Sequence, residues 1–172
     1  IGNYPISYDV GGGDVTGNPT TDTIEDTITL NNPTRVGYTF AGWTGTGLDA
    51  PTMEVSFSGE VGNRAYVANW AGNSYTVALD PNGGSVLQET ISLVCGAMYA
   101  LPIPERTGYR FEGWYDEETR ISDSGVWDYP ADKTLVAHWR IVIYTISYDL
   151  NGGMVSDNPT SYTVLYTVTL SN

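Results

Sequence analysis

The chain repeats itself, and this self-similarity limits the folds that it can adopt more than any other feature of its sequence. The segment around Asp9 recurs around Asp80 and Asp149, at intervals of 71 and 69 residues. The motif Pro-x-Arg-x-Gly-Tyr-x-Phe-x-Gly-Trp occupies residues 33–43 and again residues 104–114. Periods of several tens of residues are typical of repeat architectures, so each copy is predicted to be one structural unit in a series.

The block Val-Ala-x-Trp, which ends at Trp70 and at Trp139, closes each copy. We therefore predict a first repeat at residues 4–70 and a second at residues 75–139, each followed by a four-residue linker. A third copy occupies residues 144–172 and stops short of the Pro-x-Arg motif, so it is expected to contain the first hairpin only. Because the chain begins with Ile and has no signal peptide, we expect it to be a segment of a longer protein.

Apolar residues alternate with polar ones within each copy, which is the period of a β-strand. Asn-Gly-Gly at residues 82–84 and 151–153 supplies positions that adopt positive φ, a strong hairpin signal. Gly11 replaces the Asn in the first copy. We predict a mainly β fold with a sheet of four strands per repeat and, at most, one helical turn at residues 116–120.

The Gly-Tyr-x-Phe-x-Gly-Trp segment is predicted to be a strand with aromatic residues on both faces. Alternation puts Tyr38 and Phe40 on one face and Trp43 on the other. Each repeat is small, so large aromatic side chains are expected to fill much of its core. The predicted core residues are Phe40, Phe111, Trp70 and Trp139.

The composition excludes several classes of partner and site. The chain carries 7 basic and 20 acidic residues, a formal net charge of −13. This charge argues against nucleic acid and against anionic membrane surfaces, and no apolar run is long enough for insertion into a membrane. One Cys and one His exclude a disulfide framework and a Cys/His zinc site. The cysteine, Cys95, is predicted to be a small buried hydrophobic residue.

No residues form a recognisable catalytic pattern, so we predict that the chain is not an enzyme and needs no cofactor. His138 aligns with an asparagine in the first copy and has no evident partner. The acidic run at residues 116–118 could supply a glycosidase pair, but a solvated loop is the preferred interpretation. Asp9 and Asp14 flank a glycine turn and are the calcium candidates. The copies at Asp80 and Asp149 lack the second acid, which favours an Asx-turn role instead.

Two kinds of side chain are candidates for ligand contact. Exposed aromatic rings can stack on sugars, and Trp127, which has no clear counterpart in the first copy, is the predicted exposed ring. Arg35 and Arg106 are predicted to pack over an aromatic ring or to satisfy a loop carbonyl group, in preference to binding a ligand.

Taken in order, the Asp-x-Asn-Gly-Gly, Pro-x-Arg-x-Gly-Tyr-x-Phe-x-Gly-Trp and Val-Ala-x-Trp blocks resemble the Listeria–Bacteroides repeat, also known as the internalin B-repeat. The resemblance implies a β-grasp-like α+β fold and a secreted or wall-anchored bacterial protein in which such repeats follow one another. The signature residues that carry it are Gly12, Gly13, Gly37, Tyr38, Phe40, Gly42, Trp43, Trp70, Gly83, Gly84, Gly108, Tyr109, Phe111, Gly113, Trp114 and Trp139.

The expected protein is therefore a semi-rigid rod of tandem repeats on the bacterial cell surface, attached to the wall or envelope through other parts of the chain. It would act as a spacer or stalk in an adhesin. Its expected partners are neighbouring domains of the same chain, with weak contacts to a host or bacterial surface protein or glycan. One alternative is a module whose repeats themselves bind glycan or protein. The other is an accessory region of a secreted enzyme.

Overall fold

The computed structural model describes residues 2–171, which form two compact units. The first unit runs to Tyr75 and also contains Val94–Ala97 and Val126–Ala131. The second contains Thr76–Leu93, Met98–Gly125 and the chain from Asp132 onwards. The first unit thus includes two short segments of the predicted second repeat, and the repeat boundaries stay a prediction.

Every regular element in residues 2–171 is a β-strand, as the alternating pattern predicts. The strands of the first repeat are β1 (Tyr4–Asp9), β2 (Thr21–Asp22), β3 (Thr27–Thr29), β4 (Tyr38–Gly45), β5 (Leu48–Thr52), β6 (Ser56–Ser58) and β7 (Arg64–Gly72). They are followed by β8 (Ser74–Asp80), β9 (Thr90–Val94), β10 (Met98–Ala100), β11 (Tyr109–Asp116), β12 (Thr119–Ile121), β13 (Ser124–Val126), β14 (Lys133–Ile141), β15 (Tyr144–Thr145) and β16 (Ser161–Tyr162). Among these described residues, no helix is long and apolar enough to cross a membrane.

A five-stranded mixed sheet lies at the centre of each full repeat. Its strand order is β2-β1-β7-β4-β5 in the first repeat and β12-β11-β14-β8-β9 in the second. The first and last long strands of each repeat pair in parallel, with Ile6 opposite Arg64 and Val77 opposite Lys133. The prediction of a mainly β fold of small mixed sheets is confirmed, and the β-grasp name stays a prediction.

The prediction of four strands in each sheet is wrong because the chain folds back after the Gly-Trp motif. β5 pairs antiparallel with β4, and β12 pairs antiparallel with β11. The predicted helical turn at residues 116–120 is also wrong. Asp116 lies opposite Thr119 in a tight hairpin, and Glu117 adopts a φ of 52° between them.

Three pairs of short strands complete the secondary structure of residues 2–171. β3 pairs with β6, β10 pairs with β13, and β15 pairs with β16 in the third copy. In the last pair, Tyr144 lies opposite Tyr162 and the two rings stack with centroids 5.1 Å apart. The predicted first hairpin of the third copy is therefore reduced to two residues on each side.

The glycine turn after β1 is formed as predicted, by two successive residues with positive φ. These are Gly11 and Gly12 at 55° and 83°, and Asn82 and Gly83 at 46° and 81°. The preceding aspartate caps the turn by accepting a hydrogen bond from the backbone N–H two residues later. The distances are 2.9 Å from Asp9, 2.8 Å from Asp80 and 3.1 Å from Asp149, so the Asx-turn prediction is confirmed in all three copies.

The turn does not lead directly into a second strand, since β2 begins only at Thr21. Instead, the backbones of Asp14 and Thr34 exchange two hydrogen bonds of 2.8 and 2.9 Å. Ser85 and Glu105 do the same in the second repeat, with both bonds at 2.8 Å. The turn thus connects β1 to the Pro-x-Arg segment, which its sequence spacing does not reveal.

The prediction about which aromatic residues fill the core is wrong in its choice of face. Trp43 and Trp114 are fully buried, whereas Phe40 and Trp70 are only partly buried at the edge of the core. A register shift between Phe40 and Gly42 breaks the alternation, and Gly42 adopts a φ of 115° there. The bulge turns Trp43 to the same side as Phe40, and their rings meet edge to face at 5.5 Å.

The closing tryptophan of each repeat covers the glycine turn. Trp139 donates a hydrogen bond from Nε1 to the Pro81 carbonyl oxygen at 2.9 Å, and a Cβ atom on Gly84 would lie only 2.7 Å from its ring. We expect Gly84→Ala to destabilise the second repeat by about 1–3 kcal/mol, because the ring and the Glu105 carbonyl oxygen, which would lie 2.6 Å from the same Cβ atom, both have to move. Urea unfolding followed by tryptophan fluorescence measures the change.

Gly153→Ala is the matched control, since Gly153 occupies the same turn position in the third copy without a tryptophan ring among its nearest atoms. We expect this control to leave the unfolding midpoint almost unchanged. Equal midpoints for Gly84→Ala and the native chain would contradict the packing role assigned to Trp139.

Candidate functional site

The residues considered for catalysis and metal binding are engaged in ordinary structural contacts. The His138 ring stacks on Tyr115 with centroids 3.8 Å apart. Asp116 forms an ion pair with Lys133. In residues 2–171, no group of three or more His, Cys, Asp or Glu residues is arranged to hold a metal ion. Asp9 caps its turn and Asp14 pairs through its backbone with Thr34, as described above.

Trp127, the predicted ligand contact, is fully buried, so the prediction that its ring is exposed is wrong. Its backbone N–H donates to the Ala97 carbonyl oxygen, and its own carbonyl accepts from Gly96, both at 2.9 Å. The ring packs against Tyr129 with centroids 4.8 Å apart. These bonds hold the 126–131 segment against the turn at Val94–Ala97.

Within the first unit, that turn fits against two glycines of the first repeat. A Cβ atom on Gly37 would lie 3.0 Å from the Cys95 Sγ atom, and one on Gly72 would lie 2.0 Å from the Cys95 carbonyl oxygen. No side chain larger than hydrogen fits at Gly72 in this arrangement. We call Gly37 and Gly72 the glycine socket, and we call the turn at residues 94–97 the joint turn.

Backbone hydrogen bonds align the joint turn with the socket. The Cys95 N–H donates to the Asn73 carbonyl oxygen at 3.0 Å, and the Asn73 N–H donates to the Gly37 carbonyl oxygen at 2.9 Å. Asn73 lies in the predicted linker, yet β7 ends at Gly72 and β8 begins at Ser74. The linker is therefore almost wholly strand and takes part in the contact.

The second unit contains part of this arrangement between the second and third copies, although Ile141 lies opposite Tyr109 where Gly72 lies opposite Tyr38. The Val142 N–H donates to the Gly108 carbonyl oxygen at 2.9 Å, as Asn73 does to Gly37. A Cβ atom on Gly108 would lie 1.9 Å from the Val164 side chain. Val164 is 43% exposed, whereas Cys95 is 4% exposed. The third copy supplies a joint turn at residues 163–166 but no counterpart of the 126–131 segment.

A cleft lies beside the socket, where an arginine stacks on the tyrosine that follows the glycine. The Arg35 guanidinium carbon is 3.8 Å from the centre of the Tyr38 ring, and that of Arg106 is 3.9 Å from the Tyr109 ring. Arg106 also donates to the Asn82 carbonyl oxygen at 3.0 Å. The predicted packing role of both arginines is confirmed.

The cleft recurs in both full repeats with different linings. In the first unit it measures about 420 Å³, and in the second about 380 Å³. The first is lined by Gly12, Asp14, Thr34, Arg35, Val36, Tyr38 and Asp128. The second is lined by Ile103, Pro104, Glu105, Arg106, Thr107, Tyr109, Phe111 and Trp139. The first cleft thus adds an acidic residue from the 126–131 segment.

A buried ion pair in the first repeat was missed at the sequence level. The Arg64 Nε atom lies 3.4 Å from a carboxylate oxygen of Asp22, and both side chains are 3% exposed. Glu60 accepts a second hydrogen bond from Arg64 at 2.7 Å. Burial opposes the charged guanidinium, but its hydrogen bonds with Glu60 and Tyr66 raise the pKa of Arg64. This arginine is therefore fixed in its charged form.

The Cys95 thiol is expected to react slowly with alkylating reagents. Burial raises its pKa and the nearby Asp128 adds to that shift, although Arg35 opposes it. Less of the reactive thiolate is therefore present at a given pH than for a free cysteine. We expect alkylation at pH 8 to be at least about tenfold slower than in urea, as measured by mass spectrometry.

Gly72→Val tests whether the socket causes this protection, because a side chain there overlaps the Cys95 backbone. We expect the variant to accelerate alkylation towards the unfolded rate. Ala71→Val, at the neighbouring exposed position of β7, is the control and should keep the native rate. Equal rates in all three proteins would contradict the role of the socket.

Comparison with known proteins identifies related sequences. The family model of the Listeria-Bacteroides repeat domain matches residues 4–64 and 75–138, which is more than half of the chain. A putative Gly-rich membrane protein of Evansella cellulosilytica is 33% identical over 140 residues, covering 77% of this chain. Internalin H of Listeria monocytogenes is 29% identical over 99 residues, covering 54% of this chain. The chain spans only 16% and 17% of the lengths of these two proteins.

One solved structure with distant similarity contains domains 3–4 of the Streptococcal High Identity Repeats in Tandem from a cell surface protein. The match covers 81% of this chain and 98% of that chain at 14% identity, with a TM-score of 0.24. A likeness this distant carries no structural argument.

Proposed function

The chain belongs to the Listeria–Bacteroides repeat family, and from this membership we propose that it is a non-catalytic repeat segment of an extracellular bacterial surface protein. Its role is that of a spacer that presents other domains of the same protein away from the cell. The proposed repeats are residues 4–70 and 75–139, with an incomplete third repeat at residues 144–172. The chain is proposed to be attached to the wall or envelope through other parts of the protein.

The observation that carries this proposal is the glycine socket, which receives the joint turn of the following repeat. A linker built from freely rotating residues would let neighbouring repeats pivot. Here the linker residue Asn73 bonds both to Gly37 and to Cys95, at 2.9 and 3.0 Å. A spacer needs connections of this kind, because a stalk with free hinges collapses towards the surface that carries it.

The sequence charge also supports a spacer. A net charge of −13 over 172 residues gives neighbouring stalks the same sign, so they repel one another on a crowded surface. The relatives described as a membrane protein and as an internalin are consistent with a surface location.

Surface display tests the spacer role. The chain is anchored at its C-terminal end on a bacterial surface and carries an epitope at its N-terminal end, and super-resolution imaging measures epitope height. A Gly/Ser linker of equal length is the control, because such a chain is a flexible coil. We expect a narrower height distribution for the native chain. Indistinguishable distributions would contradict the proposal.

A second candidate function is glycan or protein binding by the repeats themselves. The recurrence of an arginine- and aromatic-lined cleft in both full repeats favours it, since a binding module reuses one site in each copy. Partly exposed Tyr109, Phe111 and Trp139 line the second cleft together with Arg106. This cleft replaces Trp127 as the site to be tested.

A glycan array and a surface-protein pull-down with the full chain test this alternative. Arg35→Ala combined with Arg106→Ala removes both stacked guanidinium groups, and Arg120→Ala removes an exposed arginine outside the clefts. Binding that is lost only in the double variant would support the module. Binding retained in the double variant, or none in the native chain, would count against it.

A further inference from the structure

The first repeat carries a joint turn of its own, at residues 23–26. The Asp26 N–H donates to the Thr23 carbonyl oxygen at 3.1 Å, as Tyr166 does to Thr163 at 3.2 Å and Ala97 does to Val94 at 3.0 Å. The second residue of each turn is Ile24, Cys95 or Val164. Two of these three residues contact a glycine of the preceding repeat, and Ile24 is the third.

The turn of the first repeat most closely resembles that of the third copy. Each begins with a threonine whose Oγ1 atom accepts from the N–H two residues later, at 3.4 Å for Thr23 and 3.3 Å for Thr163. Each has a β-branched residue in second place, namely Ile24 or Val164. Since Val164 fits against Gly108, a side chain of the Ile24 type is compatible with a glycine socket.

The first repeat also has a counterpart of the segment that covers Cys95 in the second repeat. The segment that covers Cys95 precedes β14, and its counterpart in the first repeat precedes β7. There, Val61 is 64% exposed, and Ile24 itself is 49% exposed. In the second repeat, the joint turn lies against the glycine socket and is covered by the 126–131 segment. There the joint residue, Cys95, is only 4% exposed. Ile24 and Val61 are thus exposed at positions that correspond to the joint turn and to the segment before the closing strand in the second repeat.

The charges on this face fit the arginine that accompanies every socket. Glu25 and Asp26 are exposed in the turn, and the Glu60 side chain, which pairs with the same arginine as Asp22, is 60% exposed. In the first unit, the Arg35 next to Gly37 shares its cleft with Asp128. The acidic side chains of this face therefore have a charge opposite to that of the arginine in the Arg-x-Gly-Tyr segment of a socket.

We propose that the Ile24 face is a docking surface for the glycine socket of another Listeria–Bacteroides repeat, joined directly ahead of Tyr4. The proposal rests on the spacer function, because it extends the same joint in the other direction along the chain. The partner is defined by its chemistry, a glycine followed by tyrosine and an arginine two residues before that glycine, which are the features that Gly37 and Gly108 share.

The test extends the chain by one repeat in the register of the existing joint. A duplicate of residues 4–74 is placed before Tyr4, which is equivalent to the native junction of Ser74 with Tyr75. Ile24→Cys is introduced into the original repeat of both the extended chain and the native-length chain. Alkylation at residue 24 and at Cys95 is measured by peptide mass spectrometry in the same samples.

We expect alkylation of residue 24 to become at least about tenfold slower in the extended chain. Gly72→Val in the duplicate blocks its socket and should restore the fast rate. An unchanged rate in the extended chain, or slowing that survives the blocked socket, would overturn the proposal. Cys95 in the extended chain separates the two ways of failing. If residue 24 reacts fast while Cys95 stays protected, only this inference fails. If both residues react fast, the joint on which the spacer function rests fails as well.

Discussion

Trp114→Ala is expected to unfold the second repeat at 37 °C. The Trp114 side chain is fully buried, its ring meets Phe111 edge to face at 5.6 Å, and its Nε1 atom donates to the Pro102 carbonyl oxygen at 2.8 Å. Removing such a ring costs about 3–5 kcal/mol. A repeat of this size has little more stability than that to lose.

Urea unfolding with hydrogen exchange resolved by peptide measures this loss separately for each repeat. Leu87→Ala is the control, because Leu87 is an apolar residue of the same repeat that is 97% exposed. We expect the control to change stability by less than about 0.5 kcal/mol. A Trp114→Ala protein with the control's unfolding midpoint would contradict the central place of this ring in the core.

Arg64→Ala is expected to have the second largest effect. It should lower the free energy of unfolding of the first repeat by about 3–5 kcal/mol. The substitution leaves the buried Asp22 carboxylate without its cation and removes the guanidinium that lies 4.1 Å from the centre of the Phe57 ring. Chemical denaturation of the full chain measures the change in the free energy of unfolding.

Two further variants separate charge from packing. Asp22→Leu combined with Arg64→Met replaces the pair by apolar side chains and is expected to lie within about 1 kcal/mol of the native chain. Arg120→Ala breaks an exposed ion pair with Asp123 and should cost less than about 1 kcal/mol. If Arg64→Ala were no more destabilising than Arg120→Ala, the buried pair would have no special role.

The β class and the turns were predictable because they depend on local sequence. Alternation identifies strands, and Asn82 with Gly83 defines a turn with two positive φ angles regardless of the rest of the fold. The Asx turns follow from the aspartate two residues before that turn. The pairing of β1 with β7 was not predictable, because partners 58 residues apart in sequence, such as Ile6 and Arg64, leave no local signal.

The core was assigned to the wrong face for a related reason. A strict period of two separates Phe40 from Trp43, and only the bulge at Gly42 brings them together. A glycine directly before the tryptophan in both repeats was the available signal, since glycine within a strand often marks a bulge. Gly37 and Gly108 were a similar signal for the joint, since the same motif position is glycine in both repeats. Their role could not be inferred from it, because it depends on contacts with residues of the next copy.

The same limit applied to Trp127 and to the Asp22–Arg64 pair. Trp127 has no counterpart in the first repeat, which suggested an exposed ligand contact, yet the non-repeated residue fills space beside the joint turn. Asp22 aligns with Leu93 and Arg64 aligns with Lys133, so comparison of the copies showed no shared pair. A feature present in one copy only cannot be recognised from the repeat pattern.

We propose that the joint turn and the glycine socket couple consecutive repeats into a spacer. Double electron–electron resonance between spin labels at Asp49→Cys and Glu118→Cys tests it most directly. Both proteins carry Cys95→Ala, because Gly72→Val is expected to expose Cys95 to the label. The account predicts one narrow distance distribution for the native chain and a broad one after Gly72→Val. A native distribution as broad as that of the Gly72→Val protein would contradict it.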